Sequence, residues 1–141
     1  MSRYILFLFL FIFACGEPMT EAQKLEDAKW EAVMANHDVV MPMMGTTNKV
    51  RKKLKKVLKA KDNLAGETVT KINALIKDLD NADEGMMDWM NGFQKLSKLQ
   101  AAKSHQEILQ YLDEQDGVIK QVGVDMTNSI KAGMDFVEGL E

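Results

Sequence analysis

The chain has one cysteine, Cys15, so no disulfide within it can hold a fold together. No stretch alternates β-branched and polar residues as a half-buried strand does, which argues against a sheet. There is no glycine-rich phosphate loop, no Glu-x-x-His pair, no Ser/His/Asp arrangement and no Cys-x-x-Cys-His haem attachment. An enzyme is therefore not expected. The longest apolar run, residues 5–14, is also too short to cross a bilayer as a helix, which takes about 20 residues.

That run is nevertheless informative. Met1-Ser2-Arg3-Tyr4 supplies one positive charge, the apolar stretch follows, and small Ala14 precedes Cys15. This is the layout of a secretory signal. Ile12-Phe13-Ala14-Cys15 resembles the bacterial lipobox, with Phe13 bulkier than usual. An ordinary signal or an uncleaved anchor would leave a lone thiol in an oxidising compartment, whereas lipidation would use it. We therefore expect 1–14 to be a cleaved signal peptide, 15–20 a lipidated tether and 21–141 the folded domain. A diacylglycerol on the sulfur and an acyl chain on the new amino group exceed the two signals that stable anchoring requires. Gly16 is not the Asp that retains some lipoproteins at the inner membrane, and no acidic run follows Cys15. The expected location is the envelope, on the periplasmic face of the outer membrane.

Residues 15–141 carry 17 basic and 21 acidic side chains, a net charge of −4. That acidity and export both argue against a nucleic-acid partner. Thr20 and Gln23 form a capping-box pattern. Trp30, Met34, His37, Met41, Met44, Val50, Leu54, Val57 and Leu58 then recur at helical spacing. A first helix of about 40 residues, ~60 Å long, is expected, kinked near Pro42 because proline cannot donate to the carbonyl of Asp38. A true break at Pro42 or Gly45 is the other possibility.

Asp62 to Gly66 reads as a loop. A second stripe, Val69, Ile72, Ile76, Leu79, Met86, Met90 and Phe93, keeps its phase across the weak helix formers Asp80 to Gly85 and predicts one helix ending near Leu99. Ser104 and Glu107 form a second capping box. The third stripe runs through Ile108, Leu112, Gln115, Ile119, Val122, Met126, Ile130, Gly133 and Val137. The expected fold is all-α, an up-down-up antiparallel three-helix bundle.

Two clusters invite a functional reading. If the first two helices turn back near residue 63, His37, Met41, Met86 and Met90 share one level, with Met34, Asp38 and Asp83 close by and Asp113, Gln115 and Asp116 opposite. Thioethers plus an imidazole would suit Cu(I). Methionine at helical spacing is more often pliable core filler, with His37 capped by Asp83 or a backbone carbonyl. His105 has no neighbours suggesting chemistry. The second cluster is Lys49, Arg51, Lys52, Lys53, Lys55, Lys56, Lys59 and Lys61, eight basic residues with no acidic one among them. It is either a solvated face near a helix C-terminus or a contact for an anionic polymer or lipid head group. If the helix stands upright it lies far from the anchor, toward the cell wall, the opposite membrane or a protein partner.

His37-Asp38-x-x-Met41-Pro42-x-Met44, Met86-Met87-x-Trp89-Met90 and Tyr111-Leu112-Asp113-Glu114-Gln115 together resemble a family of small lipoproteins of Bacteroidota. Many of these carry the inherited label "viral A-type inclusion protein". The resemblance spans nearly all of 15–141. It implies a lipid anchor and a helical bundle, and no assigned activity.

Overall fold

The computed structural model describes residues 18–60 and 64–140. The expected signal peptide, Cys15 to Glu17 of the tether, Lys61, and Asp62 and Asn63 of the expected loop lie outside the described residues. Among the described residues every regular element is a helix: α1 (Glu21–Val40), α2 (Met43–Ala60), α3 (Gly66–Gly92), α4 (Leu96–Ala102) and α5 (His105–Glu138). The all-α class holds.

Both capping boxes form. The Gln23 N–H donates to Thr20 Oγ1 at 3.2 Å and the Thr20 N–H donates to Gln23 Oε1 at 2.8 Å. Ser104 and Glu107 repeat the exchange at the start of α5. Each box satisfies amide groups that a helix start otherwise leaves open.

Where one kinked helix was expected, there are two. Met41 keeps helical dihedrals, and its N–H still reaches the His37 carbonyl at 2.8 Å. Pro42 cannot make the next bond, and the chain resumes through shorter i to i−3 bonds, Met44 N–H to Met41 O at 3.3 Å and Gly45 N–H to Pro42 O at 3.1 Å. Proline in a helix interior costs about 3 kcal/mol, yet it is tolerated next to a helix start, where its missing N–H has no partner to lose.

The second expected helix is also divided. α3 starts at Gly66, a residue expected in the loop, and passes unbroken through Asp80 to Gly85. It stops at Gly92, not near Leu99. Phe93 adopts extended dihedrals (φ −70°, ψ 125°) while its N–H reaches the Trp89 carbonyl at 2.9 Å. The Tyr111 hydroxyl accepts from the Gln94 N–H at 2.9 Å, which satisfies the link before α4.

Contacts between helices fix their directions. Lys29 meets Asp113, Val40 faces Gly123 and Val50 faces Gly133, so residue numbers in α1 and α2 rise together with those of α5. His37 meets Trp89 and Thr47 meets Asp83, so α3 runs the other way. One core cluster holds Val33, Val40, Met86, Trp89, Leu112 and Met126 among others, and a second holds Val50, Leu54, Ile72, Leu75, Leu79 and Val137.

The third stripe is buried or half-buried at every expected position. The α1 stripe is displaced by a residue or so: Glu26, Val33 and Val40 are its buried positions, Trp30, Met34 and His37 flank them, and Met41 is 41% exposed.

Two glycines permit the close approach of α5. A Cβ on Gly133 would lie 2.5 Å from Val50 Cγ1, and one on Gly123 would lie 2.9 Å from Val40 Cγ2. Valine is stiff at χ1 and cannot swing clear. Gly133→Ala should therefore destabilise the fold, because overpacking costs about 1–3 kcal/mol against a helix-propensity gain of at most about 1 kcal/mol. Gly117, in the same helix, has open space around it. Gly117→Ala should instead stabilise by up to about 1 kcal/mol. Urea midpoints that move in opposite directions for the two variants are the expected result.

Candidate functional site

The described residues hold three side-chain clusters and one charged face that merit a functional question. The first is an aromatic column at the α1/α3 level. His37 stacks on Trp89 with centroids 5.6 Å apart, Trp89 on Phe93 at 4.7 Å, and Phe93 on Trp30 at 6.2 Å and Tyr111 at 6.1 Å. The extended backbone at Phe93 accompanies the placement of its ring among the other three. The indole N–H groups of Trp30 and Trp89 are buried with no acceptor among the described residues. Stacking is the compensation on view, at about 0.5–1.5 kcal/mol per pair.

This column is where the thioether and imidazole layer was expected. His37 does reach the level of Trp89. Its Nδ1, however, lies 2.9 Å from Asp38 Oδ1, not against Asp83. Met86 is fully buried in the core, Met34 and Met90 pack half-buried against the same cluster, and Met41 is exposed at the helix break. Among the described residues, no three His, Cys, Asp or Glu side chains stand where they could hold a metal ion.

The second cluster joins three helices. Glu26 of α1 is only 4% exposed. Its Oε1 lies 2.7 Å from His105 Nδ1, at the first residue of α5, and its Oε2 accepts from the Gln100 side chain of α4 at 2.9 Å. Burial by itself pushes the Glu26 carboxyl up. The hydrogen bonds from His105 and Gln100 and the attraction of the imidazole outweigh it, and hold the group below its ordinary value. Sequence reasoning missed this junction: His105 has no neighbours in the chain that suggest chemistry, and nothing local marks Glu26 as its partner. The signal available was spacing, since Glu26 stands seven residues before Val33 and fourteen before Val40.

The third cluster pins α2 to α3. The hydroxyl of Thr47, fully buried, shares its one proton between Asp83 Oδ1 at 2.6 Å and the Met44 carbonyl at 2.8 Å. Arg51 Nη2 donates to Asp83 Oδ2, and Arg51 Nε lies 2.5 Å from Asp80 Oδ1. Arg51 therefore does not belong to the exposed basic patch. Its side chain is mostly buried, and its charge is committed to two carboxylates.

The remaining patch residues, Lys49, Lys52, Lys53, Lys55, Lys56 and Lys59, are all exposed. At 100° per residue they occupy one arc of α2, opposite the buried Val50 and Leu54. Among the described residues, none of the six has a carboxylate within ion-pairing distance.

The Glu26 junction has a pH signature. A carboxyl held below its ordinary value of 4.5 stabilises the fold at every pH above that value. The contribution is lost as pH falls from 4.5 through the depressed value. Glu26→Gln keeps the shape and removes the charge. It should lower stability near neutrality by about 1–3 kcal/mol, the range for a charge-assisted bond lost at a buried site. It should also flatten the decline in urea midpoint below pH 4.5. A variant as steep there as the parent would remove Glu26 from the acid response.

Comparison of the chain with protein-family models, with curated proteins and with solved structures returned no match.

Proposed function

We propose that this chain is a non-enzymatic helical-bundle lipoprotein of the bacterial envelope, tethered through Cys15 and serving a structural or partner-binding role. The observation that carries this reading is the spacing between the lipobox-like segment and the folded part. α1 opens, already capped, at Glu21, six residues after Cys15. Among the described residues, those of the two cores lie beyond that point. Cleavage before Cys15 would leave a short tether ahead of the capped first helix.

The finer architecture belongs to the same proposal. α1 and α2 act as one interrupted rod, α3 returns beside it and α5 runs back up, an up-down-up bundle in which α4 is a short bracket. The exposed Val39, on α1, and Val124, on α5, line a groove of about 380 Å³ that suits an apolar contact from a partner. The copper alternative, through His37, Met34, Met41, Met86 and Met90, has less behind it, because Met41 stands outside the cluster that gathers the other methionines. An outer-membrane address facing the periplasm, and kinship with the Bacteroidota lipoproteins described above, complete the proposal.

Cys15→Ser tests it. Expressed in a bacterium with lipoprotein processing, the parent chain should gain the mass of a diacylglyceryl group and an acyl chain and sediment with membranes. The variant should lose both properties while its circular dichroism stays helical. An unlipidated parent that remains in the soluble fraction would refute the anchor.

A further inference from the structure

We propose that the lysine face of α2 is a docking surface for an anionic phospholipid bilayer. This rests on the envelope reading above for where such a surface is met, though not for the chemistry of the contact. The chain's net charge of −3 divides into +8 over residues 49–61 and −11 elsewhere. Among the described residues, positive charge is therefore concentrated on the lysine face of α2.

The character of that face selects the partner. Six ammonium groups, Lys49, Lys52, Lys53, Lys55, Lys56 and Lys59, are spread along about 15 Å of helix and point away from the buried side of α2. Lysine is a compact point charge that suits diffuse attraction, whereas planar arginine suits bidentate recognition of a particular phosphate. The one arginine of α2 is withdrawn to Asp80 and Asp83. No aromatic side chain stands on α2, so there is no platform for stacking bases. The face is the convex side of a single helix, and none of its lysines lines the groove between α1 and α5. A convex, unpaired lysine array fits a flat field of head groups, whereas a polymer thread is better held in a cleft.

The test uses the full chain as cells process it, mixed with phosphatidylcholine vesicles that either contain or lack about one-third phosphatidylglycerol. Amine acetylation read by mass spectrometry reports each lysine. On anionic vesicles the six α2 lysines should label at least about fivefold more slowly, while Lys98 and Lys103, exposed at the opposite end, keep their rates. Salt near 1 M, where the screening length falls to about 3 Å, should erase the protection. Replacing Lys49, Lys53 and Lys56 with glutamine should relieve the protection of Lys52, Lys55 and Lys59 with helicity unchanged, because all six side chains are exposed. Equal labelling on both vesicle types would overturn the proposal. So would protection by soluble polyphosphate but not by vesicles, which would reassign the face to a polyanion chain. Attachment to neutral vesicles that persists in salt and vanishes in Cys15→Ser reports the anchor separately, so the two ideas fail independently.

Discussion

The close packing of α5 is the constraint on which the rest of this structure depends. α1, α2, α3 and α4 each contact this 34-residue helix. Its buried stripe, from Ile108 to Val137, supplies residues to both core clusters. The approach is close because glycine stands where α5 meets Val40 and Val50. Val40 ends α1 and Val50 lies within α2, on opposite sides of the Pro42 interruption. The proline break is affordable for that reason: both pieces are docked on one uninterrupted partner, so their alignment does not need a continuous backbone ladder between them.

Polar junctions complete what the apolar contacts leave loose. Hydrophobic packing is non-directional and roughly proportional to area, so it tolerates sliding of one rod along another. Glu26 with His105 and Gln100 ties three helices at one end, and Arg51 with Asp80, Asp83 and Thr47 ties α2 to α3 farther along. A buried carboxylate without its donors costs more than a slipped methyl group, so each junction penalises any register but its own. The aromatic column between them fills the level where α1 stops and α3 is about to end, a region that straight helices would pack poorly.

The exterior divides as sharply as the interior is shared. The basic residues of α2 are concentrated on the helix that follows the break, and the acidic excess is distributed over α1, α3 and α5. Burying Arg51 leaves a face made of lysine alone, a surface that attracts without selecting geometry. The apolar groove between α1 and α5 is a separate opportunity on a different flank. The groove along the body and the basic face on α2 are two separate places where the helices can meet their surroundings.

The helical class, both capping boxes, the whole α5 stripe and the register that brings His37 to the level of Met86 and Met90 are legible in the sequence. These follow from local chemistry and from spacing, because a capping pair or a 3.6-residue period acts within one or two turns. The sequence favoured a kink at Pro42 where the structure has a break, because the apolar stripe keeps its phase across a proline whether or not the helix continues. It misplaced the α1 core because Trp30, Met34 and Met41 look more apolar than Glu26. Only the tertiary structure brings His105 and Gln100 to that carboxylate, from 79 and 74 residues away. Arg51 left the basic patch, and Asp83 left His37, for the same reason. A charged side chain's partner is fixed by which helix packs against it, and that packing joins residues too distant in the chain for any local pattern to show.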